Sequence, residues 1–342
     1  MTSSDLRTVH ILEVNTALSD GFQQAVPHLD IQRIPFKHFW EGPVAADVPN
    51  PEEIKVIVAL DLHFARLLDA GVQLPNLIWV HTVTAGVEKI IKYYQKSKTT
   101  PHFVLTRSSI SSDPVSEYAI GQILAHDRSL YMYHDQQKAS VWKRTVGDSP
   151  GRSLVLHGSS VVLLGVGNIG RRMAALCNMF GMTVYGVTRT PLQKGHGSPD
   201  VHHYSTTEDL TNTLSQGDYI VNVLPSTQHT RGLLDNDVLQ VCKDKKPVFI
   251  NVGRGDIMNE ESIIKALRSE WISAAVLDVF PVEPLPADSL LWKEPGVKIT
   301  PHVAMALDED TLQKAVSVFL ENYNRFVSKK DLIDVVDIER GY

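Results

Sequence analysis

One short segment constrains the fold of this chain more than any other. The apolar run Val161-Val162-Leu163-Leu164 leads directly into Gly165-Val166-Gly167-Asn168-Ile169-Gly170, and a helix-compatible stretch, Ile169–Phe180, follows. Gly-x-Gly-x-x-Gly alone is a weak signal, but between a strand and a helix it marks the opening unit of a dinucleotide-binding sheet. Gly165 permits the tight turn, Gly167 lets the backbone approach a pyrophosphate, and Gly170 allows close helix–strand packing. The start of the helix, at Asn168 and Ile169, offers unpaired N–H groups and partial positive charge to the phosphates. A glycine turn with no ligand is the alternative, and the strand–turn–helix context weighs against it.

The pattern around this segment repeats along the chain. Val9–Val14, Lys55–Leu60, Leu77–Val83 and Phe103–Thr106 read as buried strands, with helices over Gly21–His28, His63–Ala70 and Val87–Lys96. A second alternating series supplies strands at Val161–Gly165, Thr183–Thr188, Tyr219–Leu224, Pro247–Val252, Ala274–Asp278 and Val297–Thr300. Its helices fit Ile169–Phe180, Thr207–Ser215, Asp235–Val241 and Asn259–Ser269. Near-continuous apolar strands alternating with helices predict parallel sheets covered on both faces, an α/β architecture. Between the two series one long helix is expected from Pro114 to about Gln137, with Asp113 as N-cap. A loop or arm holding Trp142 is expected over Val141–Ser160. The last helix, Asp308–Ser328, starts after the second series is complete and is expected to return to the first domain. The expected domains are therefore 1–112 with 304–342, and 113–303, with the active site in the cleft between them.

Composition narrows the partners. The 342 residues are 43% hydrophobic and 21% charged, ordinary globular usage, and the net charge is −6 with no basic stripe. Neither nucleic acid nor an anionic membrane is expected as a partner. Cys177 and Cys242 form no disulfide framework and no metal-ligand spacing, so no metal is expected. Met1–Asp5 lacks a signal-peptide pattern, no apolar run reaches membrane-spanning length, and Glu339–Tyr342 is not a peroxisomal signal. A cytoplasmic protein is expected.

The chemistry-bearing residues fall at strand ends. The second strand of the nucleotide series ends Thr188-Arg189-Thr190, with Lys194 close behind. An acidic residue there would bind ribose hydroxyls, whereas Arg189 can pair with a 2′-phosphate. NADP(H) is therefore expected over NAD(H), with NAD(H) still usable; an Arg189 that stacks on adenine or faces solvent is the alternative. Arg254 lies in Asn251-Val252-Gly253-Arg254-Gly255, Glu283 in Asp278-Val279-Phe280-Pro281-Val282-Glu283-Pro284, and His302 in Thr300-Pro301-His302. A guanidinium fork can bind a substrate carboxylate and a reacting carbonyl oxygen. A carboxylate beside a histidine raises the imidazole pKa and suits it to proton transfer. Each of the three has a bland reading as a surface or structural group. Their joint position after a nucleotide turn favours hydride transfer to a keto acid.

These segments together resemble the D-isomer-specific 2-hydroxyacid dehydrogenase family, over about Thr82 to Ala306 and most strongly from Val161 onward. The motifs are Val161–Gly170, Leu224–Thr227 with Thr230–Leu234, Asn251–Gly255, Asp278–Pro286 and Thr300–Ala304. Leu285–Trp292 and Thr188–Thr190 look most like the glyoxylate/hydroxypyruvate reductase A branch, which uses NADPH on short 2-keto acids. The resemblance implies two Rossmann-like domains, a doubly wound cofactor domain and a flavodoxin-like substrate domain. It implies that Arg254, Glu283 and His302 are catalytic, and that Leu224, Pro225, Thr230, Val252 and Asp278 border the cofactor. It implies that Thr84-Ala85-Gly86-Val87 holds the substrate carboxylate through backbone N–H groups, so that Ala85, Gly86, Val87, Arg254 and His302 are substrate-binding. It implies a homodimer through Pro114–Ser160, where Trp142 either reaches a partner's active site or serves only the interface. Glu88 departs from the family's usual aspartate, and the part before Leu77 matches only in general pattern. No regulatory domain is expected after the catalytic unit. Two other readings stay open: a dehydrogenase for bulkier branched or aromatic 2-hydroxy acids, and a catalytically silent NAD(P)-sensing protein.

Overall fold

The computed structural model describes residues 7–13, 17–37, 42–143, 155–191, 197–305 and 309–341. Lys194, Asp308 and most of the expected arm after Lys143 lie outside them. The chain divides into two compact units, residues 1–111 with 306–342, and residues 112–305. Ser112 joins the second unit because a helix begins there, and Ala304 joins it because its N–H donates to Asp278.

The first unit is built on β1 (Thr8–Glu13), β2 (Asp30–Pro35), β3 (Val56–Ala59), β4 (Trp79–Thr82) and β5 (Val104–Arg107), with α1 (Ala17–Ala25), α2 (Asp61–Asp69) and α3 (Glu88–Ser97) between them. All pairings are parallel, in the order β2-β1-β3-β4-β5, the flavodoxin-like arrangement. β3 and β4 are buried along their whole length, as apolar central strands must be. β2 was not expected. Its sequence, Asp-Ile-Gln-Arg-Ile-Pro, is mostly polar because it is an edge strand with only Ile34 buried. The C-terminal helix, Glu309–Val327, packs Phe319 and Phe326 in stacked geometry on Trp79, with ring centroids 4.9 and 5.5 Å away. Pairs of this kind add to the burial of large side chains, and they anchor the helix on β4. Asp61, at the start of α2, accepts from Lys89 N at 3.1 Å and Ile90 N at 3.0 Å, and so caps α3 from a neighbouring helix.

The second unit opens with α4 (Ser112–Asp127) and α5 (Leu130–Lys138). These replace the single helix expected from Pro114 to Gln137. Ser129 takes a left-handed backbone, φ 53°, which no continuous helix tolerates. Asp113 lies within the first turn of α4 and not at its cap. Seven parallel strands follow: β6 (Ser160–Leu164), β7 (Thr183–Thr188), β8 (His203–Thr206), β9 (Tyr219–Asn222), β10 (Val248–Asn251), β11 (Ala274–Leu277) and β12 (Val297–Ile299). Read from one edge, their order is β8-β7-β6-β9-β10-β11-β12. The chain starts in the middle, winds outward one way, and then returns to wind the other way, the doubly wound pattern. β8 is the strand beyond the six expected, and like β2 it is a polar edge strand. The helix expected at Thr207–Ser215 is a 3-10 turn leading into the short α7 (Leu210–Leu214), and the one at Asp235–Val241 is a 3-10 helix over Val238–Cys242.

Two apolar clusters cover the faces of this sheet. One joins Val115, Ala119 and Ile123 of α4 with Met173, Ala174 and Cys177 of α6 (Asn168–Met179). The other joins Leu210, Leu214 and Leu239 with Ile263 and Ala266 of α8 (Glu260–Arg268). Each fully buried Val, Leu, Ile or Met among them contributes about 1.5–3 kcal/mol on burial. The buried Cys177 and Cys242 thiols belong to these layers, and burial pushes both up to about 12. The strand order reverses between β6 and β9, so their carboxyl ends border the crevice where such sheets bind ligands.

Candidate active site

The carboxyl end of β6 runs into the glycine turn. Gly165 adopts φ 102°, and its N–H donates to Val187 O at 3.0 Å. A Cβ on Gly170 would lie 2.1 Å from Gly165 O, so helix and turn meet at a distance that only glycine allows. A Cβ on Gly167 would meet nothing within 4 Å. That open face lies at the N-cap of α6, with exposed Asn168 and half-buried Ile169 opening the helix. A backbone accessible from outside, beside N–H groups with no intrahelical partner, fits the pyrophosphate of a dinucleotide.

Two strands flank this turn. β7 ends at Thr188, whose hydroxyl lies 2.8 Å from Thr190 O and 3.3 Å from Ser205 O. Arg189 and Thr190 are exposed, and Arg189 has no ion pair among the described residues. From β9 the chain passes through Leu224 and Pro225 into a turn closed by Thr230, whose Oγ1 donates to Pro225 O at 2.6 Å and accepts from Thr227 N at 2.8 Å. Leu224 packs over Gly165.

A buried amide pair joins β9 to β10. Asn222 Nδ2 donates to Asn251 Oδ1 at 2.8 Å, Asn222 Oδ1 accepts from Leu224 N at 3.1 Å, and Asn251 Nδ2 donates to Arg254 O at 3.0 Å. Sequence reasoning missed both residues. The signal was an asparagine closing each of two apolar strands, Ile220-Val221-Asn222 and Phe249-Ile250-Asn251. Buried amides persist only when satisfied, and these are satisfied by fixing the backbone of the cofactor-side loop and of Arg254.

Arg254 is half-buried, follows the buried Val252, and donates from Nη1 to Gly253 O at 2.7 Å. Gly255 lets the segment lie against Phe280, since a Cβ there would fall 2.0 Å from Phe280 C. Beyond β11, Glu283 Oε1 accepts from Phe280 N at 2.9 Å, while Oε2 lies 2.8 Å from His302 Nδ1. His302 stands beyond β12 in a left-handed backbone, φ 54°, and its N–H donates to Asp278 O at 2.9 Å. For a residue with a side chain this conformation costs about 1–2 kcal/mol, and its surroundings must hold it.

The electrostatics follow from that geometry. The hydrogen bond to Glu283 lifts the His302 pKa; burial and the nearby Arg254 charge pull against it, and the net shift is upward. Burial pushes Glu283 up, but the His302 and Phe280 hydrogen bonds, with the His302 and Arg254 charges, outweigh it and hold the carboxyl below its ordinary value. With Nδ1 bonded to the carboxylate, His302 presents Nε2 as its proton-exchanging atom. Arg254, Glu283 and His302 are thus one electrostatic group, although they are separated by up to 48 residues in sequence.

In the first unit, Thr84–Val87 forms the loop between β4 and α3. Arg107 Nη1 donates to Ala85 O at 3.2 Å, and Thr84 Oγ1 to Gly86 O at 3.4 Å. Ala85 and Gly86 are partly exposed and Val87 is the buried N-cap of α3, so the loop ends at a helix N-terminus. Among the described residues no three His, Cys, Asp or Glu side chains are placed to share a metal ion.

Comparison with known proteins agrees with these features. Residues 120–304 match the family model described as D-isomer specific 2-hydroxyacid dehydrogenase, NAD binding domain. The chain is 31% identical to glyoxylate/hydroxypyruvate reductase A of Photorhabdus laumondii over 263 residues, 75% of this chain and 79% of that protein. Its fold is similar to that of a D-isomer specific 2-hydroxyacid dehydrogenase family protein from Aeromonas salmonicida (TM-score 0.77, 30% identity, 97% and 99% of the two chains). It is also similar to a D-isomer specific 2-hydroxyacid dehydrogenase from Xanthobacter autotrophicus in complex with NADPH and MES (TM-score 0.77, 27% identity, 98% and 99%).

Proposed function

The chain belongs to the D-isomer-specific 2-hydroxyacid dehydrogenase family and is an NAD(P)-dependent oxidoreductase acting on a CH–OH group; on that premise we propose that it reduces a small 2-keto acid of the glyoxylate or hydroxypyruvate class to the D-2-hydroxy acid, with NADPH preferred. The observation that carries this reading is the His302–Glu283 pair at 2.8 Å beside Arg254, at the strand ends of the sheet that bears the glycine turn.

Gly165, Gly167, Asn168, Ile169 and Gly170 would hold the pyrophosphate, and Leu224, Pro225, Thr230, Val252 and Asp278 would border the rest of the cofactor. Thr188, Arg189 and Thr190 would meet the adenosine end, where Arg189 selects a 2′-phosphate through charge-assisted hydrogen bonds. Bound NADPH supplies the hydride. Arg254 neutralises the substrate carboxylate and draws charge onto the carbonyl oxygen, the atom that becomes an alkoxide. His302 Nε2 gives that oxygen its proton, and in the reverse direction takes it back. Glu283 holds the ring through Nδ1 and stabilises the imidazolium that reduction consumes. The Ala85–Val87 loop is assigned to the substrate carboxylate, and the two units to substrate (1–111 with 306–342) and cofactor (112–305).

A homodimer is proposed as well. Leu130, Tyr133 and Val141 in and after α5 are exposed, and Trp142 is 97% exposed, an apolar face that a second copy would cover. No helix among the described residues is long and apolar enough to cross a membrane, and a cytoplasmic location is proposed.

The test is loss of reduced-nicotinamide absorbance with glyoxylate, hydroxypyruvate, pyruvate and phenylpyruvate, run with NADPH and with NADH. Turnover of the small acids with NADPH supports the reading. Turnover of phenylpyruvate alone moves the substrate to the bulky class. NADPH binding without turnover of any keto acid favours the sensing protein.

A further inference from the structure

The loop that carries His302 is held by a chain of side chains that reaches into α4. Asp278 is 1% exposed, and its carboxylate accepts three hydrogen bonds from this loop: Thr300 Oγ1 at 2.6 Å and Val303 N at 2.9 Å on Oδ1, and Ala304 N at 2.9 Å on Oδ2. Val303 follows His302 directly, and Thr300 lies two residues before it. The Thr300 hydroxyl also lies 2.5 Å from the Tyr118 hydroxyl of α4. Tyr118 in turn meets the Gln122 side chain, whose Oε1 accepts from Tyr131 Oη at 2.5 Å. The Tyr131 ring lies under Lys298 of β12, with Nζ 5.0 Å from its centroid.

Donor counting fixes the direction of every proton. Thr300 has one hydroxyl hydrogen and gives it to Asp278, so toward Tyr118 it can only accept. Tyr118 therefore donates to Thr300, and its oxygen takes the Gln122 amide N–H. Gln122 Oε1 is left to accept from Tyr131. All the O–H and N–H bonds then point toward one carboxylate, the arrangement in which successive hydrogen bonds reinforce one another. Burial pushes the Tyr118 phenol up to about 12, so it remains a donor throughout the working pH range.

We propose that Tyr118, acting through Thr300 and Asp278, is a positioning residue that holds His302 in its left-handed conformation with the imidazole against Glu283. Its catalytic consequence rests on the assignment of His302 as the proton-transfer group, but its structural content does not. No regular secondary structure holds the His302 backbone; its own N–H is held by Asp278 O at 2.9 Å and Thr300 N by Leu277 O at 3.0 Å, and the three bonds to the Asp278 carboxylate fix Thr300, Val303 and Ala304 on either side of it. The groups that face the imidazole are Glu283, Arg254 and Asp278. If the loop relaxes, the Glu283 hydrogen bond is the first of these to weaken.

The test is the His302 imidazole titration, followed by NMR in the full-length protein and needing no substrate. Tyr118→Phe keeps the ring and removes only the donor. In that variant and in Thr300→Val the His302 pKa should fall toward the ordinary histidine value, and Thr300→Ser should restore it. Where turnover is measured, kcat should drop roughly 3- to 10-fold in Tyr118→Phe, the scale of one neutral hydrogen bond, with the NADPH dissociation constant unchanged. The double variant should lose no more than Thr300→Val alone. An unchanged His302 titration in Tyr118→Phe overturns the proposal, whatever the enzyme reduces. A shifted titration with unchanged kcat retains the positioning role and counts against His302 as the proton donor.

Discussion

His302 Nδ1 lies 2.8 Å from Glu283 Oε2, and each residue moves the other's proton affinity in the direction that keeps both charged. The His302 pKa is raised, so its share of the pair's stability is complete below the unfolded value of 6.5 and is lost as pH rises through the folded one. The Glu283 pKa is lowered, so its share is present above 4.5 and is lost as pH falls through the folded value. The pair is therefore strongest between those limits. Reduction needs imidazolium, so kcat/KM for the keto acid should decline on the alkaline side of the raised His302 pKa. Glu283→Gln should move that decline to lower pH, and a pH–rate profile of the two proteins would show it. An unmoved alkaline limb would mean that Glu283 does not set the proton donor.

His302→Ala should lower kcat roughly 100- to 10,000-fold, the usual worth of a positioned general acid. NADPH affinity, measured by fluorescence titration, should be retained. The two effects separate proton transfer from cofactor binding. A variant that lost both together would place His302 in the binding of the nucleotide.

The parts of this molecule legible in the sequence were those written in local pattern. The central strands β3, β4, β6, β9, β10 and β11 are buried along their whole length and declare themselves as apolar runs. The edge strands β2 and β8 were missed because one side of an edge needs no apolar partner, and only Ile34 of β2 and no residue of β8 is buried. The break at Ser129 left no signal, since serine carries no preference strong enough to mark a left-handed residue. Arg254, Glu283 and His302 were picked out by their motifs, but the grip of Asp278 on the loop was not. Two of its three donors are the backbone N–H groups of Val303 and Ala304, which any non-proline residue possesses and which only the folded loop aims at a carboxylate.

Arg189 tests cofactor choice. It is exposed at the end of β7, beside the strand that bears the glycine turn. Arg189→Ala should reduce the ratio of kcat/KM with NADPH to that with NADH by roughly tenfold or more, because a charge-assisted contact to the 2′-phosphate is lost. Arg189→Asp should push the ratio further, since its charge repels that phosphate. A ratio unchanged in both variants would leave Arg189 with adenine or solvent.

Asp61 gives the first unit a pH dependence of its own. Burial lifts its carboxyl from 3.8 to about 6, against the Lys89 and Ile90 N–H groups that favour the charged form. A folded pKa above the unfolded one means that ionisation opposes folding. The cost is complete above about 6 and gone below 3.8, so stability should rise as pH falls through that window. The full effect is on the order of 3 kcal/mol at most, since each tenfold change in proton affinity is worth about 1.4 kcal/mol. Asp61→Asn keeps an oxygen for one of the two α3 N–H groups and removes the charge. Urea unfolding of this variant should lose that part of the pH dependence; identical pH slopes in wild type and variant would show that Asp61 stays solvated.

The second and third glycines of the turn separate cleanly by substitution. A Cβ at position 170 meets Gly165 O at 2.1 Å, and both partners are backbone, so neither can swing away. Gly170→Ala should destabilise the protein by about 1–3 kcal/mol or more, visible as a lower Tm without any ligand. A Cβ at position 167 meets nothing within 4 Å, and the backbone there is extended, φ −79° and ψ −156°, which alanine adopts without strain. Gly167→Ala should therefore cost no more than about 1 kcal/mol, the loss expected on placing alanine at an N-cap. Its methyl would stand on the open face where the backbone is approached from outside, so NADPH affinity should fall while Tm scarcely moves. Thermal unfolding and NADPH titration of both variants decide the matter. Equal NADPH affinity in Gly167→Ala and wild type would move the pyrophosphate away from this turn.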